Sequence, residues 1–316
     1  METQQEENNE QFIIQQHNND NIDIDIDINL TKKRSQYQQK YFKLCGKTRR
    51  LPGKEGIIGI VMSICFYLCG TTFYEIMCVS LIISNKHNTV DSSTGYIVVA
   101  IIGAITFIIT QFSYFDITTS IPGYQTSNRL TEDEYKNAPP VKVIQDNSFM
   151  LKYCSTCKIA RDVRTFHCRY CNMCIERHDH HCGYVSNCIG KNNMKKFFYF
   201  LCTTALHCSL VEVVSIYTLI KYYLNNNGVN QNDYQLNVVF VMLLTIFVGF
   251  FLIMVIGMII KHIFMFVRNE TTNEVLRKKY NNKVFDKGMN DNCKEIFCNK
   301  ETDFDINEWK EYINKN

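Results

Sequence analysis

Four long apolar runs, at 57–83, 96–115, 197–220 and 236–260, constrain this chain more than any other feature. None contains a Lys or Arg, and each is apolar on every face, whereas a surface helix of a soluble protein keeps a polar face. At about 1.5 Å per residue each run is long enough to cross roughly 30 Å of hydrocarbon. The expected fold class is an all-α polytopic membrane protein with four transmembrane helices. Outside these runs Lys and Arg number 9 in 1–56, 1 in 84–95, 12 in 116–196, 1 in 221–235 and 11 in 261–316. By the positive-inside rule this alternation puts both termini and the long central segment in the cytosol, and the two short loops on the lumenal side. Residues 1–30 are rich in Asn, Gln, Asp and Glu and lack the basic start and apolar stretch of a secretory signal, so no cleaved signal is expected. The tail reads as largely disordered to about residue 35, including the Ile/Asp alternation of 21–29. Glu75 and Glu212 are the acids inside the spans, both toward the non-cytosolic ends of their helices. They read as interfacial carboxylates ahead of an ion pathway.

The 15 Cys do not read as a disulfide scaffold, because seven fall between Cys154 and Cys188 together with four His. Cys154 and Cys157 form one CxxC, and Cys168 and Cys171 form a second, preceded by His167. Cys174, His181 and Cys188 follow. Two thiolates in such a turn reach one zinc ion at about 2.3 Å, and an imidazole helps complete the tetrahedron. Two closed sites need eight ligands, and ten candidates are at hand when His178 is set aside. Adjacent residues do not readily share an ion, so His167 and Cys168 serve different ions and the segment weaves between two sites. One partition consistent with that weave is Cys154, Cys157, His167 and Cys174 for the first ion, and Cys168, Cys171, His181 and Cys188 for the second.

The partition leaves Asp179, His180 and Cys182 over. A Cys two residues from a His, with an acid to orient the imidazole, is an activated nucleophile. A RING-type ligase would need a further Cys pair downstream, but the next Cys after Cys188 is Cys202, inside a span. A net charge of +3 and no basic run with interleaved aromatics argue against a nucleic-acid partner.

The stretch Cys154–Phe197 resembles the cysteine-rich domain of the DHHC family of protein S-acyltransferases. The resemblance rests on the CxxC pairs, Arg161, Arg164, His167-Cys168, the Asp179–Cys182 tetrapeptide, Asn187-Cys188, Gly190, Asn193 and Phe197. Thr271-Thr272-Asn273-Glu274 looks like the family's TTxE motif, and Phe285-Asp286-Lys287-Gly288 with Asn292 like its C-terminal motif. It extends over roughly 57–298. It implies transfer of a long-chain acyl group, palmitoyl, from acyl-CoA to cysteines of membrane-associated substrate proteins. The route is ping-pong, through S-acyl-Cys182, with His180 as base and then acid, and Asp179 holding its tautomer. Arg161 and Arg164 are the expected contacts for the CoA phosphates. Thr271, Thr272, Glu274 and Asn292 are expected as supports. Two structural zinc ions, the lipid bilayer and room for an accessory subunit complete the implied partners, in an endomembrane (Golgi or ER) in preference to the plasma membrane. Gly183-Tyr184 stands where the family usually has Pro-Trp, Asp162-Val163 where it has Pro-Pro, and Ile121 where it has Asp. A catalytically weak, zinc-stabilised scaffold of the same fold is therefore the alternative.

The expected organisation is thus a cytosolic tail at 1–56, TM1 at 57–83, a lumenal loop at 84–95 and TM2 at 96–115. A cytosolic loop at 116–196 follows, with the Cys-rich domain at about 151–196. Then come TM3 at 197–220, a lumenal loop at 221–235, TM4 at 236–260 and a cytosolic tail at 261–316. In TM3, a sixteen-carbon chain on Cys182 would end near His207 and Leu210, counted at 1.5 Å per residue. Ile306, Trp309 and Ile313 fall at helical spacing in the last tail, as in a short surface-lying stretch.

Overall fold

A computed structural model describes residues 41–44, 47–50, 91–144, 146–224, 231–277, 284–298, 301 and 304–305. The run at 57–83, the tail to residue 40, and Ile306, Trp309 and Ile313 lie outside the described residues. Three helices carry the remaining apolar runs: α1 (Asp91–Thr119), α3 (Met194–Leu224) and α4 (Gln231–Arg268). Their stretches Ile97–Thr119, Met194–Tyr217 and Val241–Arg268 are long and apolar enough to cross a membrane, as a multi-pass membrane protein requires. Side chains such as Phe112 and Ile253 stand outward into what would be lipid. Each helix outruns its apolar run, because hydropathy marks what lipid tolerates and backbone hydrogen bonding marks where a helix stops. The end of α4 is an example. Asn269 takes a left-handed φ of 52°, the Glu270 N–H bonds the Met265 carbonyl at 2.9 Å, and the Asn269 N–H bonds that of Phe266 at 3.2 Å, closing the helix as a Schellman turn.

The all-α expectation needs correction. The described residues contain five two-stranded antiparallel ribbons: β1 (Tyr41–Leu44) with β2 (Lys47–Arg50), β3 (Val141–Ile144) with β4 (Asn147–Met150), β5 (Lys152–Cys154) with β6 (Ile159–Arg161), β7 (Phe166–Cys168) with β8 (Met173–Ile175), and β9 (His180–Cys182) with β10 (Asn187–Ile189). Three-residue strands are too short to show an alternation of polar and apolar residues, so no hydropathy pattern announces them. Short helices α2 (Glu132–Asn137), α5 (Thr272–Arg277) and α6 (Met289–Phe297) complete the set.

The last three ribbons are copies of one unit. Each has a four-residue loop whose final residue, Lys158, Asn172 or Ser186, lies at positive φ, and each loop follows a cysteine: Cys154, Cys168 or Cys182, recurring every 14 residues. One buried cluster gathers the Cys side chains with Tyr124, Ile159, Met173, Ile175 and Phe304. A second joins Tyr114 and Ile117 of α1, Val185 and Ile189 of the last ribbon, and Phe197, Phe200 and Leu201 of α3. The third ribbon is thereby seated on the C-terminal end of α1 and the N-terminal end of α3, while the other two belong to the Cys-rich core.

Candidate active site and metal centres

The 14-residue repeat explains which cysteines meet and which one does not. In the second and third ribbons a His faces a Cys directly across the strands, His167 opposite Cys174 and His181 opposite Cys188. The CxxC of the preceding ribbon supplies the other two thiols. The structure therefore brings together Cys154, Cys157, His167 and Cys174 in one group and Cys168, Cys171, His181 and Cys188 in another, with all ligand atoms of a group within 4.8 Å of one another.

The spacing suits zinc. Ligand bonds of about 2.3 Å to sulfur and 2.0 Å to nitrogen, set tetrahedrally, place sulfur and nitrogen about 3.5 Å apart. His167 Nδ1 lies 3.5, 3.4 and 3.8 Å from the sulfurs of Cys154, Cys157 and Cys174. His181 Nδ1 lies 3.6, 3.5 and 3.5 Å from those of Cys168, Cys171 and Cys188. His178 stays outside both groups, its Nδ1 3.1 Å from the Asn273 amide.

In the third ribbon the repeat runs out. Cys182 occupies the position of Cys154 and Cys168, but Val185 stands where Cys157 and Cys171 stand, and among the described residues no fourth ribbon follows to add a His and a Cys. Cys182 is a ligand position without a site. Because side chains alternate along a strand, His181 faces its metal group while His180 and Cys182 share the opposite face.

Just before the strand, Asp179 is fully buried and accepts three hydrogen bonds: 2.6 Å from His180 Nδ1, 2.6 Å from the Thr272 backbone N–H and 3.0 Å from the Thr272 hydroxyl. Burial raises the Asp179 carboxyl, but the bonds from His180 and Thr272 outweigh it and hold the group below its usual range. Burial likewise disfavours the His180 imidazolium, yet its bonds to the Asp179 carboxylate and the Cys182 sulfur push it up to about 9. For the Cys182 thiol burial acts upward, and His180 with the N–H groups of Val185 and Tyr184 brings it below the ordinary thiol value. Phe197 packs edge-on against His180, with ring centroids 5.5 Å apart, and limits how the imidazole can turn.

The two arginines are placed differently. Arg164 is buried, donates from Nε and Nη2 to the two oxygens of Glu274 at 2.6 and 2.8 Å, and reaches Asn269 with Nη1 and Nη2. It also lines a cavity of about 380 Å³ with Lys142, Arg177, Lys191 and Lys287. Arg161, at the end of β6, is half-buried and does not line that cavity. Of the supports, Thr271 and Glu274 bond each other in both directions at the start of α5, and Asn292 donates to the Val267 carbonyl and to Asp286.

Sequence reading missed Arg50. Its buried guanidinium bonds Asn187 and comes 3.9 Å from Cys171 Sγ, while neighbouring Arg49 pairs with Asp116 at 2.5 Å. An Arg in a tail 121 residues before its partner gives no local signal. In α3, His207 bonds Thr106 of α1 at 2.9 Å through Nδ1.

Comparison with known proteins agrees with this geometry. The family model of the DHHC palmitoyltransferase matches residues 147–279. Probable protein S-acyltransferase 13 of Arabidopsis thaliana is 28% identical over 81% of this chain and 84% of its own. The palmitoyltransferase ZDHHC8B of Danio rerio is 31% identical over 64% of this chain and 27% of its own. Probable protein S-acyltransferase 1 of Arabidopsis thaliana is 30% identical over 69% of this chain and 68% of its own. With that likeness spread over two thirds of both chains, and with both Cys and His groups and the Asp179–Cys182 tetrapeptide inside the matched region, this chain belongs to the DHHC palmitoyltransferase family.

Proposed function

We propose that this protein is a protein-cysteine S-palmitoyltransferase that moves an acyl group from acyl-CoA to substrate cysteines by a ping-pong route. The observation that carries the reading is the hydrogen-bonded line from Thr272 through Asp179 to His180, which shares a strand face with Cys182, the one repeat cysteine left out of the metal groups. In the first half-reaction the Cys182 sulfur attacks the thioester carbonyl. A bond from Cys182 to the acyl carbon forms, the acyl–sulfur bond to CoA breaks, and His180 supplies the proton that leaves with CoA. In the second, His180 takes the proton of the substrate thiol, whose sulfur accepts the acyl group and restores free Cys182. Asp179 keeps the His180 proton on Nδ1 and stabilises the imidazolium. The two Cys₃His groups would hold one structural zinc ion each. Zinc there ties the three ribbons together, since the second ribbon contributes to both groups.

The CoA phosphates are assigned to the basic surface around Arg161 and Arg164. Because Arg164 is already held by Glu274, Arg161 is the freer of the two to reach a ligand. The remaining assignments are four spans, with TM1 at 57–83 and the other domain bounds as read from the sequence, both termini in the cytosol, and an endomembrane location. They are supported by the Lys and Arg alternation and by three helices of spanning length.

The test is hydroxylamine-sensitive labelling of the purified full chain by a palmitoyl-CoA analogue. Label that disappears in Cys182→Ser supports the enzyme. No label, or label unaffected by that change, supports the scaffold reading, which Gly183 in the nucleophile loop motivates.

A further inference from the structure

The loop after the nucleophile has little of its own to hold it. Gly183 is its first residue, and a Cβ built there would meet nothing within 4 Å. Glycine leaves the backbone more free than any other residue, and no side chain packs at this point to compensate. In the equivalent loop of the second ribbon the Cys171 N–H bonds Cys168 Sγ at 3.5 Å, and Val185 and Cys182 occupy those two positions in the third; the N–H groups of Tyr184 and Val185 lower the Cys182 thiol accordingly, which demands that two successive peptide planes keep their orientation.

An outside contact does this. Tyr114, on α1 and almost wholly buried, donates its phenol to the Tyr184 carbonyl at 3.0 Å, across 70 residues of sequence. Its ring meets that of Tyr184 edge-on at 5.7 Å and lies 5.5 Å from Phe200 of α3. The Tyr184 carbonyl and the Val185 N–H are the two ends of one planar peptide unit, and in a trans peptide they point in opposite directions. A bond that holds the carbonyl toward α1 therefore aims the N–H the other way, toward Cys182. The same bond polarises the unit and strengthens the N–H as a donor. Ser186 at positive φ, with its N–H on the Gly183 carbonyl at 3.2 Å, closes the loop on the far side.

Given Cys182 as the nucleophile proposed above, we infer that Tyr114 is a positioning residue for acyl transfer. Its hydroxyl holds the Tyr184–Val185 peptide plane so that the Val185 N–H stays aimed at the Cys182 sulfur, replacing a rigidity that Gly183 does not supply. The residue acts through the loop and touches neither substrate nor sulfur.

The experiment uses the purified full chain and the variants Tyr114→Phe, Gly183→Pro and both together. Tyr114→Phe removes one oxygen and keeps the ring contacts. Two quantities are read: the single-turnover rate of Cys182 acylation by palmitoyl-CoA, and amide hydrogen exchange of residues 183–186. Tyr114→Phe is expected to slow acylation and to speed exchange, each by about tenfold, the effect of one well-placed hydrogen bond. Stiffening residue 183 should make the hydroxyl dispensable. Gly183→Pro added to Tyr114→Phe is expected to bring both quantities back to within about threefold of the parent. Gly183→Ala, a milder restriction, should rescue in part and serves if the proline variant does not fold. Unchanged exchange in Tyr114→Phe overturns the inference, and so does an equal Tyr114→Phe penalty with and without the change at 183. Should the parent itself fail to acylate Cys182, the enzyme reading falls, while amide exchange still decides whether Tyr114 holds the loop.

Discussion

Replacing Glu274 by Gln should destabilise the whole Cys-rich unit, far beyond the loss of one surface contact. The Arg164 and Glu274 side chains are 9% and 7% exposed and share two hydrogen bonds of 2.6 and 2.8 Å. Their sequence separation is 110 residues, so the pair staples the Cys-rich segment to the helix that follows α4. Gln keeps the shape and one carbonyl acceptor but leaves a buried guanidinium with no counter-charge. Breaking a buried ion pair costs about 3–5 kcal/mol. Asn269 still offers Arg164 two carbonyl acceptors, and Phe285 lies beneath it at 4.4 Å, so the low end of about 3 kcal/mol applies. At roughly 2–4 °C per kcal/mol for a chain of this size, the midpoint should fall by about 6–12 °C. Thermal unfolding of the detergent-purified protein, followed by loss of the monodisperse chromatographic peak, reads this directly. Since Glu274 also accepts the Thr271 N–H at 2.9 Å, and Thr272 next to it holds Asp179, acyl transfer should fall along with stability. The paired change Arg164→Met with Glu274→Met should recover more than half of the lost stability, because no uncompensated charge remains. A shift of under about 2 °C in Glu274→Gln, or a double variant worse than the single, would refute the reasoning.

Cys182→Ser should keep its metal content and fold while losing acyl transfer, whereas Cys171→Ser should lose zinc and aggregate; metal analysis after gel filtration separates them. Asp179→Asn should lower the acylation rate by about a hundredfold or more with metal content retained, because the His180 tautomer is no longer held, and quench-flow labelling with palmitoyl-CoA measures it. A full rate in Asp179→Asn would remove Asp179 from the mechanism. His207→Ala, which also breaks the bond to Thr106, should shift preference toward longer acyl-CoA in a competition assay; an unchanged chain-length profile would confine His207 to helix packing. A protease-accessible tag at residue 90 should be protected in sealed vesicles with the cytosolic face outward, while tags at either terminus are cleaved.

Two things were legible in the linear chain because physics imposes them locally. Lipid cannot hydrogen-bond a backbone, so a span must be a continuous apolar run, and the runs at 96–115, 197–220 and 236–260 announced helices, which continue past the apolar residues at both ends. Zinc sites of this kind draw ligands from short turns, so Cys and His spacing suggested the same two groups that the structure assembles, and counting left Asp179, His180 and Cys182 aside. The 14-residue recurrence of Cys154, Cys168 and Cys182 was also open to reading, and would have foretold the three ribbons and the vacated ligand position of Cys182. The rest belonged to tertiary structure. Thr272 on Asp179, Glu274 on Arg164, Arg50 beside Cys171 and Tyr114 on the Tyr184 carbonyl join residues 93, 110, 121 and 70 positions apart. Buried polar groups must find partners wherever the fold brings them, and a residue's own neighbours in sequence carry no trace of a partner that arrives only when the helices pack.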